Sequence, residues 1–256
     1  MINIKNKSAQ VTIFIILGIL IVAGIILYFV LSGNFSVTSG PSENPKAYMQ
    51  KCVTDSVIAS QDAILQANGF PARNLTNYIL YNKEKIPYLC SVSMFYIACV
   101  PQEPALLNKI QTTMEDKVAI DTESCWQSLK QDYSRKGYSA EENDSGINLS
   151  IERGFVQVSL NKVLYLTKDQ DSIQLKDLVF QQPSPMFGLI DLEQTIVNYE
   201  STYCGFDALK WMQSENTILI STTRTSDQTK VYTIKDRETQ KQIKFAIKTC
   251  VLPAGI

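Results

Sequence analysis

Hydrophobic positions change their spacing twice along this chain. From Val11 to Leu31 (VTIFIILGILIVAGIILYFVL) uncharged, mainly apolar residues run without a break. That length suits one helical crossing of a bilayer core about 30 Å thick. Backbone groups in hydrocarbon must satisfy one another, so the stretch is expected to be a single transmembrane helix. Beyond it, from 44 to 138, apolar residues recur mainly at helical spacing. From 146 onward they mostly alternate, as in strands.

The first regime implies an orientation. Lys5 and Lys7 precede the apolar run, and the next charges are Glu43 and Lys46. This bias places residues 1–10 in the cytoplasm and everything after the span outside. A secretory signal would have a shorter apolar core and a small-residue cleavage site. Here Ser32-Gly33-Asn34-Phe35-Ser36 follows, a poor site, so the helix reads as an uncleaved signal anchor. Residues 32–43 have no periodicity and read as a flexible stalk.

In the second regime, Asn44-Pro45 marks a helix start, with a capping side chain and a proline in the first turn. Met49, Val53, Val57 and Ile64 share its apolar face, and Gly69 can end it. Strand-like aromatic runs follow at Tyr78–Tyr81, Pro87–Leu89 and Met94–Ile97, with Asn82-Lys83-Glu84-Lys85 as a turn. Pro104 opens a second helix through Leu107, Ile110, Met114 and Val118. A third begins at the caps Asp121 and Thr122, carries Cys125, Trp126, Leu129 and Tyr133, and stops at Gly137.

After a polar loop, Glu141 to Gly146, the strands expected are Ile147–Ile151 and Phe155–Leu160, joined as a hairpin by Glu152-Arg153-Gly154. Further strands are Val163–Thr167 and Ile173–Phe180. Ser184-Pro185 begins a helix through Leu189, Ile196 and Tyr203, closed near Gly205. A meander of Thr217–Ser221, Val231–Lys235 and Ile243–Val251 ends the pattern. The expected architecture is α+β: a helical part with a short aromatic hairpin region (44–138), then an antiparallel sheet with one packed helix (146–256).

Cysteine usage agrees with an outside location. Cys52, Cys90, Cys99, Cys125, Cys204 and Cys250 all lie beyond the apolar run, an even number where disulfides persist. Cys90 with Cys99 is the most local bridge, and Cys52 with Cys125 would tie two helices. Cys204 with Cys250 remains as the third pair, although strand alternation turns Cys250 away from Ile243, Phe245 and Ile247. Six buried thiols are the alternative. Asn34, Asn74, Asn143 and Asn148 fit the N-glycosylation triplet, and alternation puts Asn148 on the polar face of its strand.

Charge and composition narrow the chemistry. Removing Lys5 and Lys7 from 24 basic side chains leaves 22 against 25 acidic ones, a balance that argues against nucleic acid as a partner. The chain has no histidine. Ser-His-Asp and Cys-His nucleophile pairs and histidine zinc sites are therefore excluded, and no phosphate-cradling glycine loop occurs. No metal or cofactor is expected. Two carboxylate groupings, Glu193 with Glu200 and Glu141 with Glu142 and Asp144, satisfy the residue types of a carboxylate-pair hydrolase. Both read first as solvated surface. Tyr78, Tyr81 and Tyr88, with Phe95 and Tyr96, are candidates for a partner or sugar surface, with core packing as the plainer reading.

Three phrases carry a resemblance. Gln10 to Ile16 (QVTIFII), Pro87-Tyr88-Leu89-Cys90 with Cys99-Val100-Pro101-Gln102, and Phe245 to Gly255 (FAIKTCVLPAG) together resemble uncharacterised single-span cell-surface proteins of small-genome archaea, over nearly the whole chain. The run Lys5 to Phe14 also resembles archaeal pilin-like leaders, which would be cut between Ala9 and Gln10. Serine stands where those leaders carry a basic residue, and no glutamate follows early in the helix. The resemblance implies an envelope protein with no catalytic residues to carry over. The expectation is a membrane-anchored ectodomain with a non-enzymatic structural, adhesive or assembly role, its partners the bilayer through 11–31 and an unknown surface protein or glycan. A processed filament subunit and a surface hydrolase are the alternatives.

Overall fold

Asn44 caps the first helix as its sequence suggests, accepting a hydrogen bond from the Ala47 amide at 3.0 Å. The computed structural model describes residues 18, 21, 44–70 and 76–252. Most of the expected span and stalk, the junction Ala9–Gln10, and Asn34 and Asn74 lie outside the described residues. Gly18 and Ile21 are helical. Among the described residues no helix is long and apolar enough to cross a membrane.

From residue 44 the described chain forms four helices and ten strands, an α+β arrangement. Helix α1 (Pro45–Gln66) ends in a Schellman motif: the Gly69 amide bonds to the Ile64 carbonyl and that of Asn68 to Leu65. The side chain of Asn68, itself left-handed, then clamps two strands. Its oxygen accepts from the Lys244 amide and its nitrogen donates to Glu84, both at 3.0 Å. Strands β1 (Tyr78–Tyr81) and β2 (Glu84–Ser91) form a hairpin whose turn is Asn82-Lys83 alone. Both turn residues have positive φ, as a type I′ hairpin requires. The run Met94–Ile97 is not a strand. The short β3 (Val100–Pro101) pairs with β2 instead.

The two helices expected between Pro104 and Gly137 are one. Helix α2 runs from Leu106 to Arg135. Asp121 does not cap a new helix: one carboxylate oxygen pairs with Lys117 and the other accepts from Ser56 of α1. The buried row Leu106, Ile110, Met114, Val118, Thr122, Trp126, Leu129 and Tyr133 continues through the supposed break. Neither glycine nor proline interrupts it. Gly137, at φ +85°, closes the helix where expected.

The expected polar loop 141–146 is strand. β4 (Ser139–Glu152) and β5 (Phe155–Lys168) pair along their lengths, and Gly154 (φ +91°) makes their turn possible. β5 joins the two strands expected at 155–160 and 163–167. Ile173–Phe180 is divided instead, into β6 (Asp171–Leu175) and β7 (Leu178–Pro183), both on the other edge of β5. The β4–β5 ladder shifts register beside Asn161, and on the other edge β6 gives way to β7 near Asp177, which has positive φ. The shift between Asp144 and Ile147 is a bulge in β4, while burial alternates unbroken along β5, where Lys162 takes an inward position and interrupts the apolar pattern.

Helix α3 (Met186–Tyr203) ends at Cys204 in the left-handed region, and a short α4 (Ala208–Ser214) follows. Strands β8 (Ile218–Arg224), β9 (Lys230–Asp236) and β10 (Gln242–Lys248) form the expected meander. Its sheet is mixed: β10 runs parallel to β2, giving the order β1-β2-β10-β9-β8. The boundary expected between 138 and 146 therefore separates no independent cores. Buried residues of α1, α2, α3 and both sheets form one cluster, and residues 41–256 group as one unit.

The cysteines pair as 52–125, 90–99 and 204–250, with Cα separations of 6.6, 5.3 and 5.8 Å. Cys250 reaches Cys204 because β10 ends at Lys248. Past that point the chain leaves the ladder, with Cys250 at positive φ and its amide bonded to the Ile97 carbonyl.

Candidate functional site

The last two turns of α3 divide into a buried side and an open side. On the buried side Glu200 is fully enclosed and fully partnered. The Lys230 ammonium donates to both its oxygens, at 2.9 and 2.6 Å, and to the Cys204 carbonyl at 2.9 Å. The Tyr232 hydroxyl donates to the same carboxylate, and so does the Phe206 amide at 3.2 Å. Burial, then the Glu200 carboxylate, raise the Tyr232 hydroxyl far above the ordinary phenol range. A buried ion pair in which both partners are otherwise hydrogen-bonded holds one geometry. Here it fixes the chain reversal at Cys204–Phe206, which the 204–250 disulfide also ties to the end of β10.

On the open side Tyr199 and Tyr203, one turn apart, meet at 5.7 Å between ring centroids, and Phe206 stands edge-on to Tyr199 at 5.7 Å. Asp207 caps α4 by accepting from the Lys210 amide at 3.0 Å. The short helix thereby brings Lys210, Trp211 and Ser214 opposite the tyrosines. The result is an open cleft of about 550 Å³ with an aromatic wall and a polar rim of Thr195, Asp207, Lys210 and Ser214. Aromatic faces with a few polar groups at the edge are the usual make-up of a small-ligand site.

The residues singled out from sequence are distributed elsewhere. Tyr81 and Tyr88 are half-buried on the opposite face of the mixed sheet, packed with Ile79 against Ile86, Val231 and Ala246. Tyr88 bonds Thr229 at 3.1 Å, and Tyr78 lies beneath the Lys85 ammonium, 4.5 Å from its ring centroid. Phe95 and Tyr96 are on a separate loop. Asn143 and Asn148 are exposed on β4.

The two carboxylate groupings differ: Glu141, Glu142 and Asp144 are exposed on β4, as expected, whereas Glu193 and Glu200 are buried. Glu193 is as buried as Glu200, and burial pushes its carboxyl well above the usual range. Among the described residues neither of its oxygens has a hydrogen-bond partner. Glu142 and Asp144 sit on β4, bound to Lys130 and Lys162 respectively. Lys162 occupies the inward row of β5, between Leu160 and Leu164. There it joins Asp144 and Glu123 with its ammonium 5.7 Å from the Trp126 ring. The Trp126 indole donates to Glu142 at 2.9 Å. Among the described residues no group of three or more His, Cys, Asp or Glu could hold a metal ion.

Tyr203, expected only as the last apolar position of its helix, is largely exposed. Tyr203 is one heptad from the buried Ile196 and so shares its stripe, and its exposure at the helix end could not be read from spacing. Helix α4 is too short to show a period. Comparison with family models, with curated proteins and with solved structures finds no match to this chain.

Proposed function

We propose that this protein is a membrane-anchored, extracytoplasmic domain with a non-enzymatic, adhesive role, and that the aromatic cleft between α3 and α4 engages a glycan. The observation that carries the role is the cleft itself. Tyr199, Tyr203 and Trp211 offer flat apolar faces to the C–H faces of sugar rings, and Asp207, Lys210, Thr195 and Ser214 offer partners to their hydroxyl edges. Cysteines arranged in three pairs support an oxidising compartment. The apolar run 11–31 and the resemblance to single-span surface proteins support the anchor.

The test is binding of the detergent-solubilised full chain to an array of oligosaccharides, followed by titration of any hit. Binding weakened about tenfold or more by Tyr199→Ala with Tyr203→Ala supports the reading. Absence of binding across neutral and acidic sugars, or binding indifferent to both substitutions, overturns it.

A further inference from the structure

Residues 86–102 contain no charged side chain. Within this stretch β2 and β3 pair through Cys90 with Pro101 and Ser91 with Val100, leaving 92–99 as the connecting loop. The loop displays Met94, Phe95, Tyr96 and Ile97 in succession, at 59, 52, 62 and 43 % exposure, with Val100 beside them at 64 %. Four consecutive exposed apolar residues are unusual on a protein surface, where such residues normally occur singly.

This loop is also held from several directions. Cys99 is bonded to Cys90 across its neck. Tyr96 donates its amide to the Val251 carbonyl at 3.0 Å, and the Ile97 carbonyl accepts from Cys250 at 2.9 Å. Thr249 accepts from the Cys99 amide at 3.0 Å and donates to the Glu200 carbonyl at 3.2 Å. Tyr96 takes φ +63°, a region a bulky residue enters only when its surroundings impose it. The apolar tip is a fixed projection whose side chains the fold holds in water.

We infer that the Met94–Ile97 tip is a membrane-docking element that enters the interfacial layer of the bilayer carrying the protein. This rests on the anchored reading above. Uncharged, aromatic-containing apolar side chains suit the headgroup–acyl boundary, where tyrosine is enriched. The exposed polar side chains within 86–102 are the uncharged Ser93 and Gln102, and the charges beside Met94 and Phe95, Asp227 and Lys248, pair with each other at 3.0 Å, so the tip would meet the headgroup layer without net charge. Docking at this second point would set which side of the domain faces outward.

The experiment reconstitutes the full chain carrying Phe95→Trp into phosphatidylcholine vesicles containing lipids brominated at shallow or deep acyl positions. Tryptophan quenching in excess of the parent chain, greater with shallow than deep bromine, is expected. Indifference to both lipids overturns the inference. Alkaline extraction of the same vesicles reports the anchor separately, because an extracted chain refutes the anchored reading. For an extracted chain, quenching is repeated with protein added to preformed vesicles, and indifference there also overturns docking. Replacing Phe95 and Ile97 together with Ser should weaken that added-protein binding at least about tenfold. Benzoylphenylalanine at position 95, photolysed in native membranes, should label lipid; adducts confined to a protein would assign the tip to a protein partner and overturn the proposal.

Discussion

Glu193 and Glu200 lie two turns apart on α3 and are both fully buried, yet their surroundings give them opposite consequences. Glu193 has no partner among the described residues, so burial acts on it and its carboxyl retains a proton that the unfolded chain releases above about 4.5. The native state then binds more protons than the unfolded one, and stability falls as pH rises through the neutral range. Thermal melts of Glu193→Met should show a flatter dependence between about pH 5 and 8. They should also show a gain of about 1–3 kcal/mol at the upper end, since an unsatisfied buried polar group is removed. Asp227 contributes with the opposite sign. Burial raises its pKa, but hydrogen bonds from Thr225, Lys248 and Thr229 outweigh that and hold it at about 2. Its share of stability is complete above the ordinary aspartate range and is lost as pH falls toward that value. Glu200, by contrast, is paired. Glu200→Ala strands the Lys230 ammonium and should cost about 3–5 kcal/mol in urea unfolding.

Helix α2 shows what the residue pattern could and could not convey. Its apolar row continues through Thr122, but Asp and Thr together are good caps, and nothing local says that Asp121 is already engaged with Lys117 and Ser56. Ile120 is exposed at the supposed junction. Ile120→Pro should therefore cost about 3 kcal/mol or more, measured by chemical denaturation, where a loop there would tolerate it. The hairpins and the terminal meander were legible because period-two alternation ran between recognisable turns. The continuity of β5 through Lys162 was hidden, since a lysine in an inward row is explained only by Glu123, Asp144 and Trp126 arriving from other elements. The aromatic cleft was invisible for the same reason: α3 and α4 become opposing walls only after the reversal fixed by Glu200 and Cys204.

Across the whole molecule, the three cysteine pairs join parts that the sheets and helices already bring together: α1 with α2, the neck of the exposed tip, and the end of α3 with the chain beyond β10. Replacing Cys52 and Cys125 together with Ser should lower stability by about 2–4 kcal/mol. The change should leave cleft binding intact, because that pair lies on other elements. Loss of the 204–250 pair should affect both, measured as the unfolding midpoint and the titration with a glycan ligand. The two sheets and three helices share one core, so one cooperative transition is expected by both circular dichroism and tryptophan fluorescence.

The parallel pairing of β2 with β10 has a further consequence, in time rather than space. Tyr88 is aligned with Ala246, so an early strand waits for one of the last before its ladder can form. At ordinary synthesis rates of about 5–20 residues per second, the wait is on the order of 8–30 s. Such high contact order slows folding. Throughout that interval β2 presents a bare edge next to an uncharged apolar loop, a species prone to misassembly. A chaperone would find its binding site there, and delayed arrival of the final strand should be the step at which aggregation is decided.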